Sequence, residues 1–285
     1  MGQYRRAPES CRFEACRLDA RVGRRVFFLN PRLARAADPS LDDQPAIHRK
    51  PHAILDLPSR HAKALKIERV LGLDRIARPI TLLEVGTGSG GIARHFGSHP
   101  HLIVDVCAVD VADNRVARDG YRFQKVDGTH LPYDDAMFDV VVTNHVIEHV
   151  GEARSQEHHL SEVRRVLKPD GVAYLAVPNR WQLVEPHYRL AFLSWLPKRC
   201  RSPYLRLWGR GREYDCEPLS CGQLERMLAE AGFDFRNRCV DALHLTLELE
   251  ADKHHAARLL RLVPRALLEA MRFLTPTLVY VLRPR

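Results

Sequence analysis

Five short apolar runs, ITLLEV (80–85), LIVDVCAVD (102–110), YRFQKV (121–126), FDVVVTN (138–144) and GVAYLAVP (171–178), constrain this chain more than any other feature. Each is rich in β-branched residues and almost continuously hydrophobic, the pattern of strands covered on both faces. Helix-like stretches after Gly90, around 113–118 and over 155–167 fall between them; an amphipathic helix capped by Ser59 is expected before them, and RCVDALHLTLELE reads as a long strand after them. Strands that alternate with helices build a doubly wound, mostly parallel α/β sheet. Such sheets bind ligands outside the carboxyl ends of their strands. That edge holds Gly86 to Gly90, Asp110, Asp127, Asn144 and the pair Pro178, Asn179.

The stretch LLEVGTGSGGIARHF (82–96) hands the first strand to a helix through a glycine loop that fits two cofactors. As Gly86-x-Gly88-x-x-Gly91, with Asp110 about twenty residues on, it matches a dinucleotide fingerprint. As Glu84-x-Gly86-x-Gly88-x-Gly90, it resembles the first motif of the class I S-adenosylmethionine-dependent methyltransferases. A carboxylate at Asp110 serves the ribose of either cofactor. Asp127 in VDGTHLPYDD, the short path to Asn144, and EVRRVLKPDGVAYLAVPN together resemble the methyltransferase series, including a Leu-Lys-Pro turn before the fifth strand. The resemblance runs from about residue 59 to 179 and more loosely through FLTPTLVYVL, which resembles that fold's antiparallel seventh strand. Asp170 departs from it, standing where the family often has a second glycine.

The resemblance implies a seven-stranded, Rossmann-like sheet with a helical lid insertion. It implies S-adenosyl-L-methionine as cofactor, held by Glu84, Gly86, Thr87, Gly88 and Gly90 in the loop. Asp110 and Val111 would meet the ribose and its surroundings, Asp127 and Gly128 the adenine, and Asn144 and His145 would follow the fourth strand. This cofactor carries no phosphate, so the glycines serve close backbone approach rather than an anion cradle. The alternatives are a non-catalytic binding or scaffold protein on the same fold and, more distantly, an NAD-dependent dehydrogenase.

The acceptor side is less determined. His145, Glu148 and His149 follow the fourth strand, and His187 lies in a segment (179–218) too long for an ordinary loop, which is expected to form a lid. His149 and His187 are the candidate bases, needed only if the acceptor must lose a proton. Trp181, Tyr188, Phe192 and Trp195 suit an apolar or sugar-bearing acceptor, so a small-molecule or lipid-linked acceptor is expected. His158 and His159 are not spaced from His149 as a metal set. The seven cysteines do not form a disulfide framework, and Cys11, Cys16, Cys216 and Cys221 lack tight knuckle spacing, so no metal is expected.

Charge is unevenly placed. Of the net +9, residues 1–50 and 251–285 carry +5 each and the stretch between them −1. A near-neutral centre argues against a nucleic-acid substrate. Residues 1–52 are expected to be a basic arm and 53–285 the methyltransferase domain, with a basic helical segment at 251–275. There Arg258, Arg261, Arg265 and Arg272 would share one helix face and Leu260, Leu267, Met271 and Leu274 another, allowing peripheral membrane contact through 254–274. No run reaches the length of a membrane span, and the first ten residues lack the apolar segment of a secretory signal, so a cytoplasmic, possible membrane-surface location is expected. The oligomeric state is left open.

Overall fold

The computed structural model describes residues 56–249 and 263–285. The basic arm, Cys11, Cys16, Arg258, Leu260 and Arg261 lie outside the described residues. The sheet has seven strands: β1 (Ile80–Val85), β2 (Val104–Asp110), β3 (Arg122–Lys125), β4 (Phe138–Asn144), β5 (Leu167–Pro178), β8 (Phe233–Asn237) and β9 (Thr277–Pro284). A separate two-stranded ribbon, β6 (Val184–Glu185) and β7 (Leu190–Ala191), belongs to the lid. The sheet order is β3-β2-β1-β4-β5-β9-β8, the first five strands parallel and β9 antiparallel to both neighbours.

Period-two alternation sorts the side chains. Leu83, Val109, Val141 and Leu175 face one core layer, under α3 (Ala153–Val166) and α5 (Cys221–Glu230). Leu82, Ala108, Val140 and Tyr174 face the other, under α1 (Leu57–Leu71), α2 (Gly91–Gly97) and α6 (Cys239–Leu249). Val85 pairs with Val109 and Thr143, and Asn144 with Ala176, which aligns the carboxyl ends of β1, β2, β4 and β5 along one edge. The remaining helices are α4 (Lys198–Leu207), in the lid, and α7 (Arg265–Ala270).

Four sequence expectations are corrected. Helix α1 is capped by Asp56, whose carboxylate accepts the Ser59 backbone N–H at 3.1 Å, not by Ser59; Pro58 in the first turn suits that earlier start. Residues 113–118 are not helical, because the Val116 and Ala117 N–H groups both bond Ser89 O at 2.9 Å and the Asp113 side chain takes the Arg115 N–H. The Leu-Lys-Pro stretch is an irregular opening of β5 rather than a separate turn, with the register shifting between Phe138 and Val140. Within RCVDALHLTLELE, Cys239–Leu249 form helix α6 rather than a strand. Its alternating leucines satisfy both periods, but leucine and glutamate are strong helix formers, and FDFRN just before it takes the place beside β9 as β8.

At the opposite, amino edge of the sheet, Asp139 ties β4 to β1 and β5. Its carboxylate accepts from Lys168 Nζ (2.8 Å), Thr81 N (2.9 Å), Thr81 Oγ1 (2.8 Å) and Arg78 (2.8 Å). Burial opposes ionisation, but these donors outweigh it and hold the carboxyl well below its usual range. A depressed carboxylate contributes stability above its unfolded pKa of about 4 and loses it as the pH falls. Arg78 and Lys168 are partly exposed, which discounts their share. Asp139→Asn is therefore expected to cost about 1–3 kcal/mol at pH 7. In urea titrations the gap between wild type and variant should narrow from pH 4 downwards; a constant gap would contradict this assignment.

Helix α7 bears on the membrane expectation. Arg265 pairs with Asp241 at 2.6 Å and with Glu269 at 3.5 Å, so this member of the expected basic face is engaged within the protein. Leu267, Met271, Phe273 and Leu274 are partly exposed. Among the described residues no helix is long and apolar enough to cross a membrane.

Candidate active site

The loop after β1 is a backbone cradle. Gly86, Gly88 and Gly90 have φ of 78°, 54° and 80°, in the left-handed region that favours glycine. A Cβ at Gly86 would run into Val146, and one at Gly90 into Ala117 O and the Tyr121 hydroxyl. The Gly86 and Thr87 N–H groups donate to Val109 O at 2.8 and 3.2 Å, and Thr87 Oγ1 donates to the same oxygen at 3.1 Å. Thr87 thus acts within the loop. Glu84 is buried, and one of its oxygens accepts the Ala93 N–H at 3.0 Å, joining β1 to α2; burial pushes its carboxyl well above the usual range.

The other expected cofactor residues stand at or after the carboxyl ends of β2, β3 and β4. Asp110, at the end of β2, accepts from Gly88 N at 2.8 Å and Ala112 N at 3.2 Å. An ionised carboxylate has about four acceptor sites, so two remain for further donors. Val111 beside it is 57% exposed, an apolar surface at the ligand edge. Asp127 and Gly128 follow β3 and are exposed. Asn144 ends β4, and its buried Oδ1 has no hydrogen-bond partner among the described residues. His145 takes a left-handed φ of 58° and donates its N–H to Ala176 O at 2.8 Å. An unpaired buried acceptor and a strained non-glycine residue at adjacent positions are features of a ligand site. Asn179 differs: its amide donates to Phe273 O and Thr275 O and its Oδ1 accepts Trp181 N–H, so it anchors the lid.

Residues 83–175 match the profile of the methyltransferase domain family. They resemble a class I S-adenosylmethionine-dependent methyltransferase domain. This decides between the two readings of the glycine loop. Over 108 residues the chain is 38% identical to a protein of Mycolicibacterium smegmatis named a probable S-adenosylmethionine-dependent methyltransferase, the match covering 35% of this chain and 38% of that protein. Over 126 residues it is 29% identical to the ubiquinone/menaquinone biosynthesis C-methyltransferase UbiE of Ralstonia pickettii, covering 41% and 51%. The chain thus spans only about two fifths to half of the length of these relatives. A solved TehB-like S-adenosylmethionine-dependent methyltransferase of Corynebacterium glutamicum superposes with a TM-score of 0.46 at 14% identity, covering 79% of this chain and 88% of that one.

S-adenosylmethionine is the family's cofactor, and the residues of the methyltransferase domain fit it. Gly86, Gly88 and Gly90 hold the loop in left-handed backbone conformations, Asp110 has acceptor capacity for two ribose hydroxyls, and the Asn144 oxygen has no hydrogen-bond partner among the described residues.

The lid carries its own aromatic cluster. Trp181, Phe192 and Trp195 form an edge-to-face cluster, with Trp195 5.8 Å from Trp181 and 5.1 Å from Phe192, and each ring is 41–46% exposed. Tyr188 departs from this group: its hydroxyl donates to Asp215 at 2.8 Å and its ring lies against Tyr214. His149 and His187 do meet, their ring centroids 5.0 Å apart and their planes at 84°. Glu185 Oε1 lies 2.6 Å from His187 Nδ1, and Cys216 Sγ lies 3.7 Å from His149 Nδ1 and 3.9 Å from His187 Nδ1. Glu148 is fully buried, and burial pushes its carboxyl up to about 8.

Sequence reasoning missed Cys216 and Glu185 as neighbours of the two histidines. Cys216 had been weighed only alongside Cys221, whose sulfur instead meets the Tyr280 hydroxyl at 3.1 Å. Arg60 was also missed; it is half-buried on α1 and interacts electrostatically with Glu84. Arg60 stands in the first turn of α1, and its side chain abuts Gly91 at the end of the glycine loop.

Proposed function

We propose that the protein is an S-adenosylmethionine-dependent methyltransferase acting on oxygen of a small apolar, sugar-bearing or lipid-linked acceptor. The observation that carries the methyltransferase reading is the cradle of Gly86, Gly88 and Gly90 with Asp110 and the unpaired Asn144 oxygen around it. When bound, the cofactor supplies an electrophilic methyl group on a sulfonium. The chain's own contribution is to hold the cofactor and acceptor in line and to exclude water. Asp110 and Asn144 orient one partner; the half-exposed Trp181, Phe192 and Trp195 cluster offers aromatic faces for the other. His149 and His187 lie within the same loop-and-lid region, where a ring nitrogen can take the proton from an acceptor hydroxyl.

The test is transfer of labelled methyl from S-adenosylmethionine to fractionated phenolic, glycosylated and lipid-linked metabolite pools. Label should enter a hydroxyl-bearing acceptor, and Trp195→Ala should raise its KM by about tenfold through loss of an aromatic contact. Cofactor binding without transfer to any pool would favour the scaffold alternative.

A further inference from the structure

Three segments remote in sequence converge on one point, each bringing a donor suited to a borderline-soft cation. His149 stands in the loop after β4, whose Val146 abuts Gly86 of the cradle; His187 stands in the lid between β6 and β7; and Cys216 stands on the path from α4 to α5. One ring nitrogen of each histidine and the sulfur lie within 4.8 Å of one another. We infer that His149, His187 and Cys216 bind one zinc-class divalent cation, which pins the lid to the loop that borders the cofactor cradle. This revises the expectation of no metal drawn from sequence spacing.

The geometry is close to that of a formed site. Tetrahedral zinc with ordinary Zn–S and Zn–N bonds separates sulfur from nitrogen by about 3.6 Å. Cys216 Sγ is 3.7 Å from His149 Nδ1 and 3.9 Å from His187 Nδ1. The donors are held in place by the protein itself. Glu217 N donates to Glu148 O at 2.8 Å, and the Gln156 amide donates to Ile147 O at 3.1 Å and Glu217 O at 2.9 Å, which clamps the Cys216 strand beside the His149 loop. Glu185 Oε1 lies 2.6 Å from His187 Nδ1, the same nitrogen that faces Cys216 Sγ, so metal entry displaces this hydrogen bond and leaves the carboxylate beside the cation.

A second observation points the same way. Glu148 is completely buried, and neither of its oxygens makes a hydrogen bond among the described residues. One oxygen lies 3.9 Å from His149 Nε2. With Glu185, also buried, it places two carboxyl groups beside the donors, one of them 3.3 Å from His145 Nδ1, and carboxyl oxygen is a ligand that a zinc-class cation accepts.

The molecule contains a useful contrast in Glu68, His95 and His99, which also cluster. There His99 Nδ1 accepts the backbone N–H groups of His101 (3.2 Å) and Leu102 (2.9 Å), so Nε2 carries its proton toward Glu68 at 3.4 Å. His95 Nε2 lies 2.9 Å from the other Glu68 oxygen. That network closes by hydrogen bonding alone.

Three protein ligands leave a fourth position for water or an oxygen donor. On the methyltransferase reading, that position takes the acceptor oxygen, and the coordinated ring nitrogens no longer serve as bases. The decisive measurement is metal content of the full chain after chelator treatment and incubation with zinc, with cobalt as a spectroscopic substitute. About one equivalent should bind, cobalt should show a thiolate charge-transfer band, and zinc at a hundredfold excess over its Kd should raise the melting midpoint by about 5–10 °C. Cys216→Ser should abolish the band, and both it and His187→Gln should remove zinc and the thermal shift. Calorimetric binding of S-adenosylhomocysteine by these variants checks folding and reports separately on the methyltransferase reading. Failure of wild type to retain zinc, or equal retention by both variants, would overturn the inference.

Discussion

Asp110→Ala is expected to weaken S-adenosylhomocysteine binding by about 10² to 10⁴-fold. In the proposed site the two ribose hydroxyls would donate to this carboxylate, and hydrogen bonds to charged groups contribute about 1.5–3 kcal/mol each, or about 3–6 kcal/mol together. Asp110 also accepts the Gly88 and Ala112 N–H groups, so part of the loss comes from a looser cradle. Asp110→Asn separates the two contributions, since it keeps the shape and one acceptor while removing the charge. It should fall between wild type and alanine. Calorimetric titration of all three proteins with S-adenosylhomocysteine and NADH is the measurement. An unchanged affinity in Asp110→Ala would remove the assigned role of this carboxylate, and binding of NADH in place of S-adenosylhomocysteine would revive the dehydrogenase alternative.

Gly90→Ala should produce the largest loss of stability among single substitutions in the loop. Its φ of 80° lies in the left-handed region, where a Cβ costs about 1–2 kcal/mol, and the added carbon would collide with the Ala117 carbonyl and the Tyr121 hydroxyl. Backbone cannot yield as a flexible side chain does, and overpacking adds about 1–3 kcal/mol. The expected sum of about 2–5 kcal/mol lowers the melting midpoint by roughly 5–15 °C for a domain of this size. Gly128→Ala is the internal comparison. Its φ is 65°, but a Cβ there meets nothing within 4 Å, so only the conformational cost of about 1–2 kcal/mol applies. Equal melting midpoints for the two variants would show that the close approach at Gly90 is not energetically significant.

The parallel core of the sheet was legible because β1, β2, β4 and β5 are buried on both faces and leave an unbroken apolar signature. The cradle was legible because its backbone angles demand glycine at particular spacings. Helix α6 was not, since Leu243, Leu245, Leu247 and Leu249 alternate with polar residues as a strand would, and only the placement of β8 beside β9 resolves the period. Strand β8 escaped notice because FDFRN is short and half polar, as suits the edge of a sheet. The convergence of His149, His187 and Cys216 was illegible for a different reason: Cys216 lies 67 residues from one histidine and 29 from the other, and nothing local marks a meeting made by lid folding.

The two ends of the lid lie side by side. Asn179 bridges to Leu219, the Arg180 N–H donates to Leu219 O, and Asn179 is fastened to the chain entering β9. The nearly forty residues between are therefore a closed excursion, entered and left through one doorway, and the sheet is continuous whether or not the excursion is made. Its content can drift, lengthen or be exchanged without moving the strand ends that present the cofactor loop. On the proposed function, such an architecture would separate inheritance of the methyl donor from choice of the methyl recipient, the first written in the sheet and the second in a replaceable cassette.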